Sequence, residues 1–334
     1  MRHTTRRAML AGIATVLVAP RRLAAQTRPR DGTRRLAVLT VLAANDPMSQ
    51  RKVPILRQGL AALGWREGDN IGIDWRNGAG DQRLIARYAE ELIGLAPDVI
   101  LALGTPCVVD LRRRTSTIPI VFAIVTDPVG QGFVASLSHP GGNITGFSDN
   151  DLPMAAKWLS LLAQLTPAVK NVAVIYNPAT APFADQMLGL LATAAQPLAI
   201  ETRGTPIHDV AEIGGAIATQ SRQVGGGLLV LPDAYTITNR AAIIAQVASA
   251  RIPAVYWNRA FAEDGGLISY GTDNDDLVRR AATYIDRILK GEKAGDLPVQ
   301  NPVKFEFVIN LKVANTIGVS IPVSLLSTAD EVIE

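Results

Sequence analysis

The chain has 334 residues, 48% of them hydrophobic and 19% charged, which supplies a packed core and excludes disordered and fibrous classes; at about 150 residues per domain it suggests two domains. Its net charge of +3 comes from the first 25 residues, which hold five Arg and no acid; without those five, 28 basic residues stand against 30 acidic ones. A strongly basic face is therefore not expected, and nucleic acid is not an expected partner.

The leading segment reads as an export signal. Thr5-Arg6-Arg7-Ala8-Met9-Leu10 opens it, residues 8–19 are uncharged, and Leu23-Ala24-Ala25 offers small residues for cleavage. Paired Arg before a mildly apolar run resembles a twin-arginine signal. Pro20-Arg21-Arg22 breaks that run short of the roughly 20 apolar residues a membrane span needs. Residues 1–25 are thus expected to be removed, leaving a periplasmic protein that begins near Gln26.

Residues 36–42 form the first expected strand, ending at Asn45-Asp46-Pro47. A helix over 54–63 turns Ile55, Leu56, Leu60 and Leu63 inward and stops at Gly64. A strand at 71–75 precedes a helix that Asp81 caps, with Leu84, Ile85, Tyr88 and Leu92 on one face. The strand at 99–103 ends at Gly104-Thr105-Pro106 and leads into a helix over 106–114. Residues 118–125 are uncharged, as suits a parallel strand covered on both faces. This run stops at Thr126-Asp127-Pro128, where Asp127 fits an N-cap and Pro128 a first helical position, so a helix is expected to follow.

The second half repeats the plan. Its expected elements are helix 152–165, strand 172–176 ending at Asn177-Pro178, helix 183–195, strand 198–201, helix 210–223, strand 227–231, helix 238–250 and strand 252–257. The two halves echo one another: Leu36-Ala-Val-Leu parallels Val172-Ala-Val-Ile, and Ile118-Pro-Ile-Val-Phe122 parallels Ile252-Pro-Ala-Val-Tyr256. Residues 144–147 and 267–271 suit crossings between halves. A strongly amphipathic helix at 273–290 and a strand at 303–309, with Phe305 and Phe307 opposite Lys304 and Glu306, complete the chain. The fold class is α/β, with two Rossmann-like lobes and parallel sheets.

Catalytic signatures are absent from the sequence. His139 and His208, which remain once the leader is gone, lack metal-ligand spacing, so no metal is expected. There is no G-x-S-x-G and no G-x-G-x-x-G, and Gly225-Gly226-Gly227 precedes a strand instead of following one. The single cysteine, Cys107, reads as a small buried residue. No cofactor and no enzyme activity are expected.

Six segments in order carry a resemblance: Gly104-Thr105-Pro106, Ile118-Pro119-Ile120-Val121-Phe122, Asp127-Pro128-Val129-Gly130, the run Pro140-Gly141-Gly142-Asn143-Ile144-Thr145-Gly146, Gly265-Gly266-Leu267-Ile268-Ser269-Tyr270-Gly271, and the run Lys304-Phe305-Glu306-Phe307-Val308-Ile309-Asn310-Leu311. Together they resemble the substrate-binding proteins of ABC importers, in the branch with tryptophan- and tyrosine-type binders. The resemblance implies a type I periplasmic-binding architecture, with an N-terminal lobe of 34–145 plus 271–293 and a C-terminal lobe of 146–270 plus 294–334. It also implies a protein that captures a small organic solute and passes it to an inner-membrane ABC permease, without fixing the solute; an aromatic or apolar amino acid or related acid is the expected class, and a monomer the expected state.

Ligands of such folds meet the loops after the strands. The candidate ligand-binding residues are therefore Asn45, Thr105, Pro106, Asp127, Asn177 and Asp233, with Ser148 beside a crossing and Phe147, Tyr256, Trp257 and Tyr270 as rings for stacking. The alternatives are an exported ligand-sensing module and an exported α/β hydrolase using Asp127 or Asp233.

Overall fold

A computed structural model describes residues 32–149 and 152–334, so the expected leader lies outside the described residues. Its first sheet is built from β1 (Arg34–Thr40), β2 (Ile71–Asn77), β3 (Val99–Leu103), β4 (Ile120–Val125) and β5 (Ile144–Ser148), all parallel, in the order β2-β1-β3-β4-β5. Helices α1 (Pro47–Ala62), α2 (Gln82–Gly94) and α3 (Thr105–Arg114) connect the first four strands. β1, β3 and β4 are apolar on both faces because helices cover both.

The second half contributes α4 (Met154–Leu165), β6 (Asn171–Tyr176), α5 (Ala184–Ala195), β7 (Glu201–Pro206), α6 (Val210–Ser221), β8 (Gly226–Val230), α7 (Ala234–Thr238), α8 (Arg240–Ala250), β9 (Ala254–Tyr256), α9 (Arg259–Glu263) and β10 (Ile268–Thr272). After β10 the chain enters α10 (Asn274–Leu289), then returns as β11 (Phe305–Asn310), α11 (Leu311–Ile317), α12 (Val323–Leu326) and β12 (Glu331–Ile333). The second sheet runs β12-β11-β10-β9-β8-β6-β7, and the β10–β11 pair is antiparallel. The helix α10 belongs with the first sheet: Leu277, Ala281, Ile285 and Ile288 pack in one cluster with Leu36, Val38, Leu101 and Val121. Each large aliphatic side chain buried there contributes about 1.5–3 kcal/mol.

The chain passes between sheets after β5, between β10 and α10, and between α10 and β11. Near the first and third passages the backbone is bonded across: Ser148 N–H donates to the Gln300 carbonyl at 2.9 Å, and Gln300 N–H to the Gly146 carbonyl at 3.0 Å. Gly146 is required here, because a Cβ at that position would lie 2.1 Å from the Phe122 carbonyl oxygen.

Several elements differ from the sequence reading. The first helix starts at Pro47, not at 54, because Asp46 caps it, accepting from Met48 N–H at 2.8 Å; Pro54 sits within the helix. No helix follows Asp127. That residue has φ +47°, and its carboxylate accepts from Gly130 N–H at 2.9 Å, so it folds back on a turn rather than capping a helix. The strand expected at 198–201 begins at Glu201, since residues 196–198 form a single 3-10 turn. The helix expected over 238–250 is broken at Asn239 into α7 and α8. β5 stays in the first sheet up to Ser148, past the crossing expected at 145.

Candidate functional site

The carboxyl ends of the parallel strands of both sheets meet at one cavity, the place where open α/β sheets bind ligands. From the first lobe come Val41 after β1, Gly104 and Thr105 at the β3–α3 turn, Ile124 and Thr126 at the end of β4, and Asp149 after β5. From the second come Thr180, Phe183, Asp233, Ala234, Ile237 and Trp257. A second pocket shares Val41, Gly104, Ile124, Ile237 and Trp257 with the first and adjoins it against α1 and the start of α10, where Thr40, Leu42, Met48, Lys52, Leu103 and Asn274 line it.

Backbone geometry turns several of these side chains inward. Gly104 takes φ +102°, which L side chains rarely adopt, and lets β3 turn sharply into α3. Ile124 takes φ +62°, an outlying conformation for a β-branched residue. The β4–β5 register shifts between Ala123 and Val125, and the extra residue exposes Ile124 to the cavity.

Polar groups of the second lobe are well held. Asp233 is 5% exposed and accepts from Tyr235 N–H at 2.9 Å, from Asn177 N–H at 2.7 Å and from the Thr180 hydroxyl. Burial nonetheless pushes its carboxyl up to about 6, with those hydrogen bonds pulling the other way. The Trp257 indole donates to Thr236 Oγ1 at 3.3 Å, which fixes the ring in the cavity wall.

The first lobe is different. Lys52 is 1% exposed, and its Nζ has no hydrogen-bond partner. Burial lowers its ammonium to about 8, against the opposing pull of Asp275, Asp46 and Asp149. The buried Asn274 Oδ1 in the same cavity is also without a partner.

The lobes are tied together at the cavity's edge. Arg240 of α8 donates to Asp46 at 2.7 Å and to Asp264 at 2.7 Å, and Arg51 of α1 reaches Glu263 at 3.4 Å.

Of the residues singled out from the sequence, Thr105, Asp233 and Trp257 line this cavity. Asn177 stands behind Asp233 through its N–H, and Pro106 is buried in the first turn of α3. Ser148 donates to Asn301 Oδ1 at 2.9 Å beside the crossing. Phe147 packs in the core on Tyr284, ring centres 4.7 Å apart, and Tyr256 is fully buried against Phe261. Tyr270 lies with Phe305, Phe307 and Lys157 at a separate groove. Asn45 is exposed and Asp127 half-buried, and neither lines the cavity.

Cys107 is fully buried, and burial pushes its thiol up, away from thiolate chemistry. His139 and His208 are exposed. Among the described residues no cluster of His, Cys, Asp and Glu could hold a metal ion, and no helix is long and apolar enough to cross a membrane.

A family model for ABC transporter substrate binding proteins matches residues 36–333. The chain belongs to that family. It is similar to a tyrosine-binding protein of Clostridioides difficile (strain R20291), 31% identical over 254 residues that cover 76% of this chain and 72% of the relative. A solved ABC domain from Streptococcus pneumoniae in complex with L-Trp superposes with a TM-score of 0.83, at 28% identity, covering 90% of this chain and all of that one. A conserved domain protein from Vibrio cholerae matches as well, with a TM-score of 0.83, 29% identity, and 90% and 99% coverage. The architecture is that of type I periplasmic-binding proteins.

The cavity residues that sequence reasoning missed include Lys52, Ile124, Thr180, Ile237 and Asn274. Lys52 had a signal: with Met48, Leu56 and Leu60 it forms the buried stripe of α1 at four-residue spacing. Ile124 had none, because a bulge is not written in an apolar run.

Proposed function

We propose that this substrate-binding protein serves an ABC importer. It leaves the cytoplasm on a leader of residues 1–25, captures a small organic solute between its lobes in the periplasm, and hands it to a permease in the inner membrane. It acts on the solute by enclosure and not by chemistry. The observation that carries this reading is the cavity walled by strand ends of both sheets and bordered by the Asp46–Arg240 pair. A solute touching both walls favours the closed arrangement by its differential affinity for it.

The solute class follows from the lining. Val41, Leu42, Met48, Ile124, Ile237 and Trp257 suit an apolar or aromatic body. The likeness to a tyrosine-binding protein and to a complex with L-Trp supports an aromatic or apolar amino acid or a related acid. Native mass spectrometry of the exported protein tests the reading. A carried small molecule and an N-terminus near Gln26 are expected; a persistent Met1 in the membrane fraction would overturn the export step, and catalytic turnover of the carried solute would overturn the binding role.

A further inference from the structure

Lys52 stands out because α1 places an ammonium where that helix otherwise places Met48, Leu56 and Leu60. A buried charge with no partner is costly and persists only where something meets it. No protein acceptor makes a hydrogen bond with Lys52 Nζ. Asp46 is engaged by Arg240 and by Met48 N–H. Asp275, Asp46 and Asp149 act on the ammonium at a distance, and Arg51 opposes them. Asn274, which lines the same pocket as Lys52, has a second buried polar atom with no partner, its Oδ1.

We propose, resting on the binding-protein reading above, that Lys52 is the counter-ion for the carboxylate of an apolar-bodied amino acid, with Asn274 Oδ1 accepting a hydrogen bond from the ligand's amine. The chemistry of the walls narrows the head group. Lys52 is the only cationic side chain lining either of the two adjoining pockets among the described residues, while Asp149 and Asp233 line the pocket next to its own. A phosphate or sulfate, with two charges and no further cationic donor, fits poorly there. A sugar would leave hydroxyls against Leu42, Met48, Ile237 and Trp257 without partners. A monoanionic carboxylate pairs with one ammonium, and an α-ammonium beside it meets the free carbonyl of Asn274 and the acidic side of the cavity.

Calorimetric titration at neutral pH tests the assignment, with L-tyrosine, L-tryptophan and L-leucine against tyramine, tryptamine and isoamylamine, which lack only the carboxylate. At least one amino acid is expected to bind, and its amine to bind about 10- to 100-fold more weakly. Lys52→Met is expected to weaken the amino acid by a similar factor and not to weaken the amine, whose positive charge it no longer opposes. An amine that binds as tightly as its amino acid overturns the proposal, as does a folded Lys52→Met chain with undiminished amino-acid affinity. The comparison of amino acids with amines needs no variant, so it decides even if Lys52→Met fails to fold. If no member of either series binds and the exported protein carries no small molecule, the binding-protein reading itself falls.

Discussion

Removing the Lys52 charge should change how stability responds to alkali, in a direction the structure fixes. Its ammonium is lowered from 10.5 to about 8 by burial, so between those values the unfolded chain binds more protons than the folded one. Stability should therefore rise as pH climbs from about 8 to above 10, as the lysine sheds a proton the fold disfavours. At about 1.4 kcal/mol per unit, the contribution is roughly 3 kcal/mol. Urea unfolding at intervals from pH 7 to 11, on the natural protein and on Lys52→Met, isolates it, because the other lysines and tyrosines titrate in both. The difference in unfolding free energy should shift toward the natural protein by that amount across the window. Saturation with a bound carboxylate should flatten the shift, since the pair holds the proton in place. A difference that stays level from pH 7 to 11 would show that Lys52 is solvated or already paired, and the reasoning about the cavity would be refuted.

Asp46→Asn keeps an acceptor for the α1 cap but loses the charge facing Arg240, so melting should change little while solute affinity falls roughly tenfold; unchanged affinity would show that the pair does not hold the lobes together. Asp233 titrates the other way: its folded carboxyl sits near 6 against a usual 3.8, so the fold binds more protons between those values. Its share of stability is present at low pH and lost as pH rises through 6, and Asp233→Asn should abolish that slope in unfolding experiments; an identical slope in the variant would contradict the burial argument. Asp127→Asn should leave both melting and solute affinity nearly unchanged, because Asn also tolerates positive φ and can accept from Gly130 N–H. A tenfold loss of affinity in that variant would return Asp127 to the binding surface.

Much of the architecture was legible because strand and helix periods are written in apolar spacing. The α10 stripe of Leu277, Ala281, Ile285 and Ile288 is one such case, and the uncharged run of β4 is another. Turn punctuation was less reliable. Asp46-Pro47 does open a helix, whereas Asp127-Pro128 begins an irregular stretch, because nothing local to either pair reveals a positive φ. At the site, Asp233 and Trp257 could be read as residues just past strand ends. Phe147 and Tyr256 lie within their strands, where the pleat turns them into the core. Tyr270 is drawn away by the antiparallel partner β11, whose Phe305 and Phe307 it meets. Lys52 was hidden by Pro54, which reads as a helix start and so cuts off the turn that carries the lysine.

The most direct measurement is a crystal structure of the exported protein with the solute it carries, or with the tightest-binding amino acid of the series. The expected result is a single ligand between the lobes, its carboxylate within hydrogen-bond distance of Lys52 Nζ and its body against Trp257 and Ile237. A ligand bound instead in the groove beside Tyr270 and Phe305, with none between the lobes, would contradict the proposed capture between lobes.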